Sequence, residues 1–134
     1  MAAGILDTNT LILLERLDPS DLPSEPVITA VSLAELSVGP LVATDDWERA
    51  ARQARLQAAE SAFEPLPFDA VAARALGGVA ASHRRSGRKP SARAFDALIA
   101  ATAIANGLPL YSCNPRDYAG IEGLELVELG HPDA

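Results

Sequence analysis

A single cysteine, Cys113, and two histidines, His83 and His131, leave no partner for an intramolecular disulfide and too few ligands for a closed zinc site. Nothing here therefore requires an oxidising compartment. No apolar run approaches the ~18–20 residues of a membrane span. Met1 to Thr10 has Asp7 before any Lys or Arg and so lacks the basic start of a secretory signal. The expected location is the cytoplasm, with no membrane partner. Lysine occurs once, at Lys89, and the formal net charge of −7 argues against holding duplex nucleic acid by phosphate neutralisation alone.

What remains is an ordinary globular composition, 49% hydrophobic and 22% charged over 134 residues, enough for one domain with a real core. A single domain over 1–134 is expected, with 130–134 as a loose tail. Gly4-Ile5-Leu6 reads as a strand, and Asp7-Thr8-Asn9-Thr10 as a loop and helix N-cap before a helix over Leu11 to Arg16. Val27-Ile28-Thr29 is a second strand, and Ser32 to Val38 is a helix stopped by Gly39-Pro40. A long amphipathic helix follows from Asp45 or Asp46, its inward face carrying Trp47, Ala50, Ala51, Ala54, Ala58 and Phe63. Pro65 to Phe68 fits a short edge strand, because proline is tolerated mainly at sheet edges. Asp69 caps a helix to about His83, and the nearly uncharged Ala94 to Ala105 ends at the C-cap signature Asn106-Gly107. Two last strands fall at Leu108 to Ser112 and Leu124 to Val127. Strands alternating with helices predict an α/β fold with a parallel sheet covered on both faces.

Four carboxylates occupy informative places: Asp7 after the first strand, Glu35 just past the second, Asp96 on the uncharged helix, and Asp117 after the fourth strand. Ligands of open α/β sheets bind outside the carboxyl ends of the strands. Four charges meeting there would repel by about 4 kcal/mol per pair at ~4 Å and an effective dielectric of ~20, so the cluster needs a cation or raised pKa values. Oxygen ligands alone favour a hard cation, Mg²⁺ or Mn²⁺. Each residue also has a plainer role. Asp7 fits an N-cap and Asp117 an Asx turn. Glu35 fits the capping box of Ser32-Leu33-Ala34-Glu35. Asp96, among Phe95, Ala97, Leu98 and Ile99, is hardest to dismiss, because an unpaired charge is costly to bury, although an exposed place on a polar face would also suit it.

Ile5-Leu6-Asp7-Thr8-Asn9, Ser32 to Gly39, Asp96 to Ala103, and Ser112-Cys113-Asn114-Pro115-Arg116-Asp117-Tyr118 together resemble the motifs of PIN-domain nucleases. More narrowly they resemble the VapC toxins of bacterial toxin–antitoxin pairs. The resemblance spans nearly the whole chain; Ser112 stands where the family more often has threonine, and Tyr118 where it more often has phenylalanine. It implies a three-layer sandwich around a short, mainly parallel five-stranded sheet. It also implies that Asp7, Glu35, Asp96 and Asp117 form a metal-binding catalytic quartet for one or two Mg²⁺ or Mn²⁺ ions, supported by Asn9, Ser112 and Asn114. The implied activity is hydrolysis of RNA phosphodiesters by metal-activated water, on a structured tRNA or rRNA with a single-stranded loop, neutralised by a cognate VapB-like antitoxin.

Arg84, Arg85, Arg88, Lys89 and Arg93 form the one basic concentration and are candidates for guiding RNA; the alternative is a solvated helix end whose cations complement the helix dipole. Excess alanine-rich surface on the helices would suit a homodimer or an antitoxin arm. Cys113 with His83 or His131 is a weak candidate for thiol chemistry, since a lone cysteine at a strand end is usually a small buried hydrophobe. A phosphoryl-transfer receiver is disfavoured because Asp7 has no paired acid and Lys89 sits in a loop. An aspartyl phosphatase would need a second aspartate where Asn9 stands. The remaining alternatives are a divalent-metal phosphatase and a PIN-like fold acting only as a binding module.

Overall fold

In the computed structural model of the chain, which describes residues 2–88 and 93–134, four parallel strands form one sheet in the order β2-β1-β3-β4. They are β1 (Ala3–Leu6), β2 (Glu25–Val27), β3 (Leu110–Ser112) and β4 (Leu126–Glu128), flanked by α1 (Thr8–Ile12), α2 (Ala30–Val38), α3 (Asp46–Ala62), α4 (Ala70–Arg85) and α5 (Ala94–Asn106). The α/β class with a parallel sheet flanked by helices agrees with expectation. Ile5 stands opposite Val27 on one side and Leu110 on the other, so the central strand is apolar and buried. Gly4 accommodates the ring of Tyr111, with which a Cβ would clash.

Among the described residues the sheet has four strands and not five. Leu66 makes one parallel bridge to Thr29: its N–H donates to the Ile28 carbonyl and its own carbonyl accepts from Ala30. Pro65 and Pro67 on either side have no N–H to extend the ladder. The second strand lies two residues earlier than Val27–Thr29, because Ile28 and Thr29 turn away from β1 toward Leu66.

Capping residues set most helix ends. Asp45 and Asp69 accept from the backbone N–H of Glu48 and Ala72, and Gly107 closes α5 with φ of 63°. The first helix differs from expectation: Asp7 caps it directly, so Thr8 to Thr10 are helical, and only a 3-10 turn covers Leu14–Arg16. Helix α5 is apolar nearly all round, and the small side chains of Ala97, Ala100, Ala101 and Ala103 beside Ile99 let it sit in the main core with Ile5, Val79, Leu110 and Tyr118. Trp47 does not face inward and is 82% exposed. Ala50, Ala51, Ala54 and Ala58 of the expected inward face are exposed as well; the packed face of α3 is the neighbouring stripe, where Leu56 and Ala59, with Phe63 at the C-cap, meet Leu11, Ile28 and Leu36.

Candidate active site

The chain leaves β1 toward β2 on one side, and β3 lies on the other, so the crevice of this sheet opens at the carboxyl ends of β1 and β3. Asp7 follows β1 directly and Ser112 ends β3. The Ser112 hydroxyl donates to Asp7 Oδ2 at 2.7 Å, and the Thr10 N–H donates to Oδ1 at 2.9 Å. Asp7 is therefore both N-cap and site residue, buried at 3% exposure with a donor on each oxygen. The Asn114 N–H donates to the Ser112 hydroxyl at 2.9 Å, so this serine joins the loop after β3 to Asp7.

Glu35 is not part of a capping box. Thr29 caps α2, with its hydroxyl accepting from the Ser32 N–H, and this places Ser32 inside the helix. Ser32 and Glu35 then share one helical face, as expected of residues three apart. Both meet Thr8: its hydroxyl donates to Glu35 Oε1 at 2.5 Å and lies 2.9 Å from the Ser32 hydroxyl. Burial pushes the Glu35 carboxyl up from its ordinary value, the Thr8 bond pulls it down, and the charge of Asp7 raises it again.

Asp96 sits in the first turn of α5, with its side chain 23% exposed. The Tyr118 hydroxyl donates to its Oδ1 at 3.3 Å from the 3-10 turn Pro115–Tyr118. Burial, followed by the charges of Asp117, Glu35 and Asp7, pushes the Asp96 carboxyl up to about 6. Burial and the carboxylates around it also raise the Tyr118 phenol, which stays protonated and can only donate to Asp96. Asp117, on the same turn, pairs with Arg93 Nη1 at 2.7 Å. Each carboxylate thus has its own donor: Ser112 for Asp7, Thr8 for Glu35, Tyr118 for Asp96 and Arg93 for Asp117.

The four are electrostatic neighbours, yet among the described residues no three His, Cys, Asp or Glu side chains converge tightly enough to hold one ion in this conformation. The donor set is nonetheless oxygen only, and burial together with the mutual repulsion of the carboxylates raises Asp96 although Arg93 stands beside it, so one guanidinium does not balance the four acids. That combination fits a hard divalent cation. Asn9 is exposed on α1 and lines a cleft with Thr8, Ile12, Glu35, Arg52 and Arg55. Asn114 contributes its backbone N–H.

The basic residues divide their roles. Arg85 binds Glu122 at 3.1 Å and Ser82 at 3.3 Å. Arg88 donates to the carbonyls of Arg116 at 2.7 Å and Asp117 at 3.3 Å, which anchors the turn that carries Asp117. Arg84 is exposed and pairs with no carboxylate among the described residues. Lys89 lies outside the described residues. Cys113 is buried, and burial raises its thiol, which opposes a nucleophilic role. Thr8, Thr10 and the Tyr118 hydroxyl were not singled out from sequence. The available signals were a threonine on each side of Asn9 and a tyrosine beside Asp117.

A model of the PIN domain family matches residues 5–121. Ribonuclease VapC5 of Mycobacterium tuberculosis is 37% identical over 131 residues, covering 96% of this chain and 94% of its own. The crystal structure of VapBC-5, a toxin–antitoxin system of M. tuberculosis, superposes with a TM-score of 0.83 at 34% identity over 96% of this chain and 100% of the other. The DNA-bound VapBC of Salmonella typhimurium gives a TM-score of 0.76 at 26% identity, covering 96% and 98% of the two chains.

Proposed function

From the premise that this chain belongs to the PIN domain family, we propose that it is a VapC-type toxin, a divalent-metal-dependent endoribonuclease restrained by a VapB-like antitoxin. The observation that carries this reading is the gathering of Asp7, Glu35, Asp96 and Asp117 at the carboxyl edge of the sheet, each with a separate donor and close enough to raise Asp96. The four carboxylates would hold one or two Mg²⁺ or Mn²⁺ ions. A bound ion would supply the positive charge that acidifies water and offsets charge building on the scissile phosphate.

The chain's own part is positioning. Ser112 and the Thr10 N–H fix both oxygens of Asp7, so its carboxylate loses little freedom when a ligand arrives. Tyr118 orients Asp96 and Thr8 orients Glu35 from elements distant in sequence. The exposed Arg84 near the end of α4 supports contact with a phosphate backbone, and the substrate proposed is a structured tRNA or rRNA with a single-stranded loop. Leu41 and Trp47, 81% and 82% exposed beside Val38 and Val42, support a protein partner on that face, the antitoxin or a second copy in a homodimer.

The test is incubation of the purified, antitoxin-free protein with total RNA in Mg²⁺ or Mn²⁺, with EDTA and the variants D7N and D96N as controls. Discrete cleavage abolished in every control is the expected result. Mn²⁺ binding without cleavage of any RNA would transfer the site to a phosphatase or to a pure binding module.

A further inference from the structure

We propose that Arg93 is a built-in counter-ion of the acidic site, displaced from Asp117 when a divalent cation binds and then free to hold the substrate phosphate. The inference rests on the metal reading above. Arg93 Nη1 lies 2.7 Å from Asp117 Oδ1 and 3.9 Å from Asp96 Oδ2, so one guanidinium bridges carboxylates carried by two separate elements. Any cation ligated by either oxygen would stand within a few ångströms of it, where like charges repel strongly. The guanidinium has a route out and Asp117 has none: the arginine side chain is 56% exposed and the aspartate 14%.

The backbone supports the same assignment. Arg93 has φ of 61° and ψ of 44°, and among the described residues it alone, apart from glycines, has positive φ. Its side chain makes no capping bond to α5, so nothing local requires an arginine in that strained conformation. The conformation does aim the charge at Asp117. Arg88 and Arg85 are not equivalent, since their guanidinium groups are engaged by the carbonyls of 116 and 117 and by Glu122. The planar fork of Arg93, once released, matches two phosphate oxygens, which a lysine cannot reproduce.

Calorimetric titration of Mn²⁺ alone into wild type, R93Q, R93G and R93K tests the displacement without RNA. R93G also relieves the positive φ, so at least one charge-free variant is expected to fold. R93Q and R93G are expected to bind Mn²⁺ roughly three- to tenfold tighter, the scale of a half-exposed ion pair, with R93K near wild type. At saturating Mn²⁺ the same two variants should raise KM for RNA about tenfold with a smaller change in kcat, and lower the salt slope of RNA binding by about 1. Mn²⁺ affinity unchanged or weakened in both variants would overturn the counter-ion role while leaving the metal site intact. Absence of Mn²⁺ binding in wild type and variants alike would remove the metal reading and this inference with it.

Discussion

Removing the charge of Asp96 should stabilise the metal-free protein. The Asp96 carboxyl is raised to about 6 by burial and by Asp117, Glu35 and Asp7, against an unfolded value of ~3.9. That rise corresponds to at most about 3 kcal/mol, and solvent reaching the 23% exposed side chain reduces it to ~1–2 kcal/mol. Because the folded state binds this proton more tightly than the unfolded state, the stabilisation is complete below pH ~4 and is lost as pH rises through about 6. Above that pH the metal-free fold carries a charge that burial and the neighbouring carboxylates disfavour. Asp96→Asn removes it, keeps the volume and still accepts from the Tyr118 hydroxyl. In EDTA at pH 7.5 the variant should melt about 3–8 °C above wild type, and at pH 4.5 the difference should shrink toward zero. Thermal melts across pH 4–8 in EDTA measure this. An Asp96→Asn protein no more stable than wild type at pH 7.5, or a gain that does not decline toward acid, would refute the claim that burial and the neighbouring carboxylates together raise Asp96.

Asp7→Asn should keep the α1 cap, since asparagine also accepts from Thr10 N–H, while lowering RNA cleavage by at least ~100-fold; Asp7→Ala should in addition lose about 1 kcal/mol in urea denaturation. Ser112→Ala leaves an oxygen of a buried carboxylate without its donor and should cost about 1–3 kcal/mol, with Ser112→Thr restoring both stability and cleavage. Arg84→Gln should weaken RNA binding and lower its salt slope by about 1, whereas Arg85→Gln should change the slope less because Glu122 already neutralises that charge; equal slopes in both variants would contradict the division of roles.

The caps at Asp45 and Asp69 and the Asn106-Gly107 stop were readable because each is a local bond between residues a few positions apart. Asp96 was readable because a carboxylate in an apolar helix demands compensation. Ser32-Leu33-Ala34-Glu35 left two readings open for the same local reason. A capping box and a helical face share one spacing, and only the true cap at Thr29 separates them. The stripe of Trp47, Ala50, Ala51, Ala54 and Ala58 misled because alanine counts as apolar yet is readily left exposed, and the packed stripe beside it is set by the larger Leu56 and by Phe63.

Propensity, caps and hydrophobic pattern are properties of short segments, so the α/β class, most elements in their order and the four acidic positions could be read along the chain. The partners of those acids came from the packing of distant segments. Thr8 reaches Glu35 across 27 positions and Ser112 reaches Asp7 across 105, while Arg93 meets Asp117 from another loop. Such pairs depend on which strand lies beside which, and the parallel order β2-β1-β3-β4 alone brings them to one edge.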